Sequence, residues 1–442
     1  MTTQELASLI VGTISDDIPV EAIDAAKSSL LNWLGVAIGA SGHPLIDKLL
    51  DLAQAIGGNG QATVLGRGDR TDVLTAAMIN GTSSHIFDYD DTFLDTILHP
   101  SAPVAPAVLA LAELLGSSGR SVIEAFIVGV EAEQRVAQVV YPSHYDRGWH
   151  ITGSVGGFGA AAAAARLLKL DAGQTTMALG IAATQPVGLR EMFGTHTKPL
   201  HPGKAAANGL AAAMLAQRGG TSSVRSIEAP RGFAHVTSDE PRLGKLTEGW
   251  GRSWQITSNS YKPFPCGVVI HPIIDGALRL GRQCKLTAAD VTELQLRVHP
   301  LVLELTGKRE PRDGLEAKFS VYHCAAAALL DGWVGLAQFA DQRVTAPDVI
   351  DLRQRVTAVA DPSIAEDQAY LTARLVGGGI AEVWVEHCLG SKDNPMTDEL
   401  LERKLMEVTQ GVIPPERAHS LIKAVRTLDT APDVQALVEL AR

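Results

Sequence analysis

Apolar residues recur every three or four positions through most of residues 1–265, the spacing typical of helices that bury one face. Three runs show this most clearly and predict helices: EAIDAAKSSLLNWLGVAIGA (21–40), SAPVAPAVLALAELLG (101–116) and SVIEAFIVGVEAEQRVAQVV (121–140). Two further runs consist mostly of small residues: GAAAAAARLLKL (159–170) and AAANGLAAAMLAQRG (205–219). They predict helices that pack closely together inside a bundle.

The pattern changes near residue 265. Apolar and polar residues alternate in VTELQLRVHP (291–300), as in a half-buried strand. The run AYLTARLVGGGIAEVWVEHC (369–388) predicts two strands joined by a hairpin at its three glycines. A helix-like run lies between them, and the tail from about residue 396 is helical again. The sequence therefore predicts a mainly α protein with a discontinuous helical domain (1–265 and 396–442) and a smaller α+β domain (266–395).

Composition and charge narrow the classes of partner. The 442 residues carry a net charge of −11 and no long basic run, so nucleic acid is not an expected partner. The sequence has no apolar stretch of about 20 residues to span a bilayer, and its N-terminus lacks the basic start of a signal peptide. The four cysteines lie far apart without a CxxC pair, which argues against a structural zinc site. These features predict a soluble, reduced, cytoplasmic protein.

The segment HIFDYDDTFLDTILHPS (85–101) places four aspartates within eight residues, with a histidine at either side. Asp90 and Asp95 are expected to lie at a solvated helix end. The remaining polar residues adjoin an HPS turn before an apolar helix, where carboxylates can orient a histidine and tune its basicity. These residues are Asp88, Asp91, Thr92 and His99.

Two metal-dependent interpretations fit this segment less well. The letters IFDYDDT match the hhDxDxT pattern of aspartyl phosphatases, but the only GDxxD motif, Gly68–Asp72, precedes it. Asp91 also stands where a glycine usually follows the second aspartate. An EF-hand loop would need a glycine and a glutamate at its twelfth position, and the segment has neither. A site that handles protons is therefore the favoured interpretation, and no metal is expected.

Two further segments of the helical part carry candidate chemistry. His150 precedes a Gly-rich turn and a helix, where backbone N–H groups bind anions, although close helix packing explains the same glycines. A Rossmann site would need a preceding strand and a later acid, and neither is evident. A basic cluster suited to a polycarboxylate or phosphate follows, with an ordinary exposed loop as the alternative. Its members are Arg190, His196, Lys198, His201 and Lys204.

The junction with the strand-rich part contributes a lysine. Lys262 lies in a Pro-rich loop, where partial desolvation would lower the pKa of its ammonium and allow it to act as a base. The alternative is a surface lysine in a linker. Farther along, Tyr322 and His323 open an apolar helix, and either is placed to reach a cleft.

Together these segments resemble the MmgE/PrpD family, whose members include 2-methylcitrate dehydratase, cis-aconitate decarboxylase and iminodisuccinate epimerase. Five motifs occur in the family order: DYDDT…HPS, the Gly-Ala helix after a histidine, THTKPLHPGKAA, YKPFPCG…HPIID and KFS…ALLDG. The resemblance implies a large helical domain interrupted by an α+β lid, a cofactor-free site between the two domains, and a homodimer. By motif position it implies the site residues Asp88, Thr92, His99, His150, Lys198 and Lys262.

The family reactions share one chemical demand. Each handles a proton on a carbon next to a carboxylate, or a carbanion equivalent there, so the site must stabilise developing negative charge. We expect Lys198, with Arg190 or His201, to supply that positive field. Two acid/base groups are needed for epimerisation, and the candidates are Lys262 together with one of His150, His99 or Tyr145.

One position departs from the family pattern. Members that act on tricarboxylates often have a tyrosine three residues after the serine of KFS, and His323 occupies that position after Ser320. This departure favours epimerisation of a small dicarboxylate such as iminodisuccinate, with His323 in the substrate-binding set. Dehydration or decarboxylation of a methylcitrate- or aconitate-like acid is the alternative reaction. A non-enzymatic protein that binds polycarboxylates is the alternative class.

Overall fold

The computed structural model describes residues 2–442, which divide into two compact units. The first unit contains the chain up to Ile86, Asp90–Tyr261 and Asp398–Arg442, and the second contains Phe87–Tyr89 and Lys262–Thr397. Helices hold 58% of the residues and strands only 9%, which confirms the predicted mainly α class with a smaller α+β part. Among the described helices, none combines the length and the apolar character needed to cross a bilayer.

The first unit is a helical bundle with one two-stranded ribbon, β1 (Ala62–Thr63) paired antiparallel with β2 (Arg70–Thr71). Its helices are α1 (Thr3–Gly12), α2 (Val20–Gly39), α3 (Pro44–Ile56), α4 (Val73–Ile86), α5 (Ser101–Leu115), α6 (Gly119–Val140), α7 (Ser143–Asp146), α8 (Ile151–Leu167), α9 (Ala172–Ala183), α10 (Thr197–Gln217) and α11 (Phe233–Thr237). All five helical runs predicted from apolar spacing coincide with helices of this set.

Small residues bring α4, α8 and α10 together, as their composition predicts. A Cβ added to Gly81 on α4 would lie 2.9 Å from the Cα of Gly203 on α10, so the two backbones are in contact. Gly209 on α10 approaches the backbone of α8 in the same way. This close packing matters for the site, because His85 lies on α4, His150 directly precedes α8 and His201 lies on α10.

The second unit packs helices against a four-stranded sheet. Its elements are α12 (His271–Gln283), β3 (Val291–Val298), α13 (Pro300–Thr306), α14 (Gly314–Ala317), α15 (Val321–Asp331), α16 (Asp341–Val344), α17 (Pro347–Gln354), β4 (Val356–Ala360), β5 (Ala369–Leu375) and β6 (Ile380–Val385). The strand order is β4-β3-β5-β6, with β3 parallel to β4 and the other pairs antiparallel. The strand and the hairpin predicted from the sequence are confirmed.

Three last helices complete the first unit: α18 (Asp398–Val408), α19 (Pro415–Arg426) and α20 (Gln435–Leu440). The α18 helix packs on α2, where Leu405 meets the backbone of Gly35. Lys404 of α18 is buried and donates to Asn32 Oδ1 at 2.7 Å. The helical tail therefore belongs to the same core as the N-terminal helices.

Candidate active site

The acidic segment lies between the end of α4 and the start of α5. Asp91 is fully buried, and its carboxylate accepts hydrogen bonds from the backbone N–H of Ser101 (3.2 Å) and from the Ser101 hydroxyl (2.6 Å). Asn259 Nδ2 donates a third bond at 3.1 Å. Burial raises the pKa of Asp91 to about 7, although the Ser101 bonds oppose this shift. Asp91 therefore ties the segment to α5 and titrates near neutral pH.

Asp90 is fully buried, so its interpretation as a solvated helix end was wrong. Its Oδ2 lies 2.7 Å from Nδ1 of His85, near the end of α4, and its Oδ1 lies 3.6 Å from Nδ1 of His99. Two imidazole rings thus face the carboxylate, which makes its burial tolerable. Asp95, by contrast, is exposed as expected.

The surroundings of His99 determine where its ring carries a proton. Nδ1 lies 2.9 Å from the carbonyl oxygen of Asp91, which only accepts hydrogen bonds, so Nδ1 is protonated. The hydroxyl of Thr92 lies 3.3 Å from the same nitrogen. Thr92 is itself held by a two-way backbone bridge to Ser260 (2.8 and 2.9 Å). A neutral His99 ring therefore has its lone pair on Nε2, the atom that would gain or give a proton.

His150 and His201 form a second histidine pair in the first unit. Their Nδ1 atoms are 3.0 Å apart, so one ring donates a hydrogen bond and the other accepts it. Both side chains are buried. Burial lowers the pKa of His201 to about 4 and that of His150 well below its ordinary value, and the positive charges of His85 and Lys198 lower both further. At neutral pH the two rings are therefore uncharged and share one N–H.

The backbone around this pair leaves no room for a side chain at one position. The N–H of His150 donates to the carbonyl of Gly188 at 3.0 Å, where the chain forms an isolated bridge between Trp149 and Leu189. Gly188 has a φ of 102°, which favours glycine. A Cβ there would lie 2.9 Å from Nδ1 of His201 and 3.2 Å from Cβ of His150. Gly188 thus allows the two rings to meet.

Two members of the predicted basic cluster lie near these rings. Lys198 lowers the pKa of both paired histidines, and its Nζ is 5.2 Å from the ring centre of Phe193, which contacts His150 edge-on at 5.1 Å. Arg190 stacks on the ring of Tyr145 at 4.0 Å and donates to its carbonyl at 3.1 Å.

A cavity of about 480 Å³ lies beside this cluster, a size typical of small-molecule sites. Its lining combines a stacked arginine with backbone from the loops before α8 and α10. The lining residues are Arg147, Gly148, Leu189, Arg190, Glu191 and Phe193. Two arginines and one glutamate therefore border this space.

The second unit holds its own ionic group around the short segment Phe87–Tyr89. Lys262 is buried, and its Nζ donates to the carbonyl (3.0 Å) and to Oδ1 (3.1 Å) of Asp88. Asp88 has a φ of 54°, an uncommon conformation for a residue with a side chain. Lys318 donates to the Phe87 carbonyl at 2.5 Å, and the Tyr89 hydroxyl donates to the Pro263 carbonyl at 2.7 Å. Two buried lysines therefore hold this segment in an uncommon conformation.

His323 lies in the interior of the second unit. Its side chain is buried at the start of α15, Nε2 lies 2.9 Å from the Gln338 carbonyl, and the ring contacts Phe339. Burial lowers the pKa of His323 to about 4. These contacts are those of a packed core histidine. Tyr322 is also buried, under the guanidinium of Arg309 at 4.7 Å.

Two groups of three side chains in residues 2–442 bring potential metal-ligand atoms within 4.8 Å of one another. The first is His85, Asp90 and His99, where His85 pairs with Asp90 at 2.7 Å and Nδ1 of His99 bonds the Asp91 carbonyl at 2.9 Å. We therefore interpret it as a hydrogen-bonded cluster. The second, on the second unit, is Asp367, His387 and Asp393, where His387 already pairs with Asp367 at 3.0 Å.

The residues predicted from sequence thus fall into two groups. The first unit contains seven of them: Thr92, His99, Tyr145, His150, Arg190, Lys198 and His201. The second unit contains Asp88, Lys262 and His323. Sequence reasoning missed His85 and Lys318 as members of these groups. The spacing of His85 and Asp90, five residues apart across a helix end, was the available signal for their pairing.

Sequence profiles of one family match nearly the whole chain. The profile of the MmgE/PrpD N-terminal domain matches residues 4–245, and that of the MmgE/PrpD C-terminal domain matches residues 264–430. The chain is 28% identical to a cis-aconitate decarboxylase from Aspergillus terreus, with 99% of this chain and 95% of the relative covered. It is 27% identical to a human cis-aconitate decarboxylase, with 100% and 94% covered. It is also 28% identical to a 2-methylcitrate dehydratase from Cupriavidus necator, over 36% of this chain and 34% of that relative.

Proposed function

The chain belongs to the MmgE/PrpD family, and on that premise we propose that it is a cofactor-independent lyase that acts on a small polycarboxylate. Decarboxylation of a cis-aconitate-type tricarboxylate is the leading reaction. Full-length similarity to cis-aconitate decarboxylases supports this choice over the epimerisation favoured by the sequence motifs. As the family resemblance implies, we also propose a homodimer, which light scattering would test.

One structural observation carries the proposal. A cluster of four buried histidines lies near Lys198, in a protein whose net charge is −11. Local positive charge set against a negative overall field is what a polyanionic substrate needs for binding. Imidazole is also the side chain best suited to exchange a proton near neutral pH. The first unit therefore contains groups suited to bind carboxylates and groups suited to transfer protons.

The reaction assigns a step to each group. In decarboxylation the bond between the carboxylate carbon and its neighbour breaks, CO2 leaves, and the electron pair stays on the neighbouring carbon. Lys198 and Arg190 bind the remaining carboxylates and stabilise that charge. His99, protonated at Nε2, donates a proton to the carbanion and regains one from solvent. The neutral His150–His201 pair and Thr92 orient the substrate by hydrogen bonds.

Lys262, in the second unit, is another proposed acid/base group. Lys262 is buried, and its Nζ makes a two-point contact with the carbonyl and the carboxylate of Asp88. We assign Lys262 to proton transfer and Asp88 to its control. Tyr145 is assigned to the support of Arg190, because the guanidinium stacks on its ring.

Dehydration of a 2-methylcitrate-type acid is the second candidate, favoured by the shorter match to a 2-methylcitrate dehydratase. The same residues would serve it, since one acid protonates the leaving hydroxyl and one base removes the neighbouring proton. Epimerisation of iminodisuccinate ranks third. The sequence favoured epimerisation because His323 stands where tricarboxylate enzymes often have a tyrosine. The His323 ring is buried in the core of the second unit, so this reason no longer holds. The buried pairs of acid/base groups likewise disfavour a purely binding homologue.

The test is release of CO2 from cis-aconitate by the purified protein, with His99→Gln as the site variant. Loss of the proton donor should lower kcat by about 100-fold or more. The matched control is His235→Gln, because His235 is exposed on α11 of the same unit. The proposal fails if no CO2 is released from cis-aconitate and no alkene forms from 2-methylcitrate. The role of His99 fails if both variants retain full activity.

A further inference from the structure

Asp90 is shared between two histidine rings, one at each oxygen of its carboxylate. Oδ2 contacts His85 Nδ1 at 2.7 Å, and Oδ1 is 3.6 Å from His99 Nδ1. The side chains of Asp90 and His85 have no exposed surface. The His85 ring also lies edge-on to His99 (4.9 Å between centres) and stacks on His150 (5.5 Å, 26° between planes). His85 therefore lies against the proposed proton donor, His99, and against His150 of the orienting pair.

The chemistry assigned to His99 requires a counter-charge. When Nε2 takes up a proton, the ring becomes a cation inside the protein, where an uncompensated charge is costly. The Asp91 carbonyl at Nδ1 contributes only a dipole. Among the described residues, the Asp90 carboxylate is the ionic group placed against this nitrogen. Its second oxygen is held by His85 and cannot rotate away without breaking a 2.7 Å hydrogen bond.

We propose that Asp90 and His85 are positioning residues of the proposed lyase site: His85 fixes the Asp90 carboxylate, and Asp90 stabilises the protonated form of His99. Neither residue touches substrate in this arrangement. The inference rests on the proposed function for its kinetic consequence, although the charge effect on His99 exists without substrate.

The groups that face this cluster come from several elements. His85 lies on α4, His99 precedes α5, His150 precedes α8, and His201 and Lys198 lie on α10. Asp91 adds a titratable carboxyl, and Lys404 on α18 acts on that carboxyl. Glu133 on α6 is a further buried acid, and burial and the Asp91 charge raise its pKa well above the ordinary value. The Asp90 carboxylate is the acid whose oxygen lies against His99, so its removal takes away the counter-charge of that ring.

The sign of the effect follows from that balance. Loss of the Asp90 charge disfavours the His99 cation, so His99 loses its proton at a lower pH. If the reaction needs protonated His99, kcat then begins to fall at a lower pH, and the basic limb of the pH profile moves down by about one pH unit or more. A merely structural role would reduce the amount of folded enzyme and leave the pH profile in place.

The kinetic test compares Asp90→Asn, Asp90→Glu and His85→Gln with the matched control Glu113→Gln. Glu113 is a buried carboxylate of the same unit that bonds Thr63 and Arg70, away from the histidines. We expect Asp90→Asn to lower kcat about 100-fold with KM changed less than about threefold, and to shift the basic limb. Asp90→Glu keeps the charge and should restore the limb. An unshifted limb in Asp90→Asn would overturn the inference.

A second measurement needs neither substrate nor turnover. Nitrogen-15 labelling of the 13 histidines and NMR titration follow each imidazole, with His99 assigned from the His99→Gln spectrum. In Asp90→Asn the protonation midpoint of His99 should fall, and in Glu113→Gln it should stay at the wild-type pH. If this shift occurs while no substrate is turned over, the proposed function fails and the inference stands. If turnover occurs and the midpoint does not move, the inference fails alone.

Discussion

The substitution His323→Gln tests whether the histidine at the family's tyrosine position is part of the core or part of the site. Glutamine can still donate to the Gln338 carbonyl, which lies 2.9 Å from Nε2, but it cannot take a charge. A core role predicts changed stability with unchanged catalysis. A site role predicts the reverse.

The magnitude follows from burial. Burial lowers the pKa of His323 in the folded protein to about 4, below its ordinary value of 6.5 in an unfolded chain. The unfolded state therefore binds a proton first as the pH falls, and stability is lost from about pH 6.5 down to about pH 4. Linkage gives a loss of about 2 kcal/mol between pH 7 and pH 5 from this one residue.

Urea titrations of wild type and His323→Gln at both pH values measure the difference. The variant should lose about 2 kcal/mol less than wild type on acidification, with kcat within about twofold of wild type at pH 7. Carboxylates with a lowered pKa also lose stability on acidification, but mainly below their ordinary pKa of about 4, and both proteins share that contribution. The same pH dependence in both proteins, or a kcat reduced 100-fold, would refute the core assignment of His323.

Three further predictions concern the proposed site. Lys262→Ala should lower kcat by at least about 100-fold while substrate binding, measured by calorimetry, persists; equal loss of binding would indicate a binding role only. Gly188→Ala should lower kcat and the melting temperature, because the added Cβ would lie 2.9 Å from Nδ1 of His201. The control is Gly194→Ala, which is also at positive φ but has no atom within 4 Å of the added Cβ. It should lower the melting temperature and leave kcat unchanged. Lys198→Met should raise KM about tenfold or more at low salt and flatten its dependence on ionic strength; an unchanged KM would remove Lys198 from substrate binding.

Local patterns were sufficient to predict much of the fold. The runs at 21–40 and 101–116 became α2 and α5, and Gly116 ends α5 in the left-handed conformation. Alternation at 291–300 became β3, in which Leu294, Leu296 and Val298 are buried on one side of the sheet and a register shift precedes them. These elements could be predicted because each buries one face against the core, which makes the spacing of its apolar residues periodic. No such pattern reveals that Phe87–Tyr89 belongs to the second unit.

The site was harder to predict from the sequence, because it depends on contacts between residues that no local pattern relates. Asp88 contacts Lys262 across 174 residues of sequence, and composition alone does not show such a pairing. Asp90 has the polarity of a surface residue, and only the approach of His85 and His99 in the folded chain makes its burial possible. His323 is the opposite case: its position in a motif suggested a role in the site, but its side chain is buried in the core of the second unit.

The most direct test of the proposed function is turnover in D2O followed by proton NMR, with cis-aconitate, 2-methylcitrate and iminodisuccinate stereoisomers in separate samples. We expect CO2 release from cis-aconitate and one deuterium on a carbon of the product, because the proton that replaces the carboxylate comes from a histidine in exchange with solvent. Alkene formation from 2-methylcitrate would keep the protein a lyase of the second kind. Interconversion of iminodisuccinate stereoisomers with deuterium uptake, and no CO2 or alkene from the other two acids, would contradict the account.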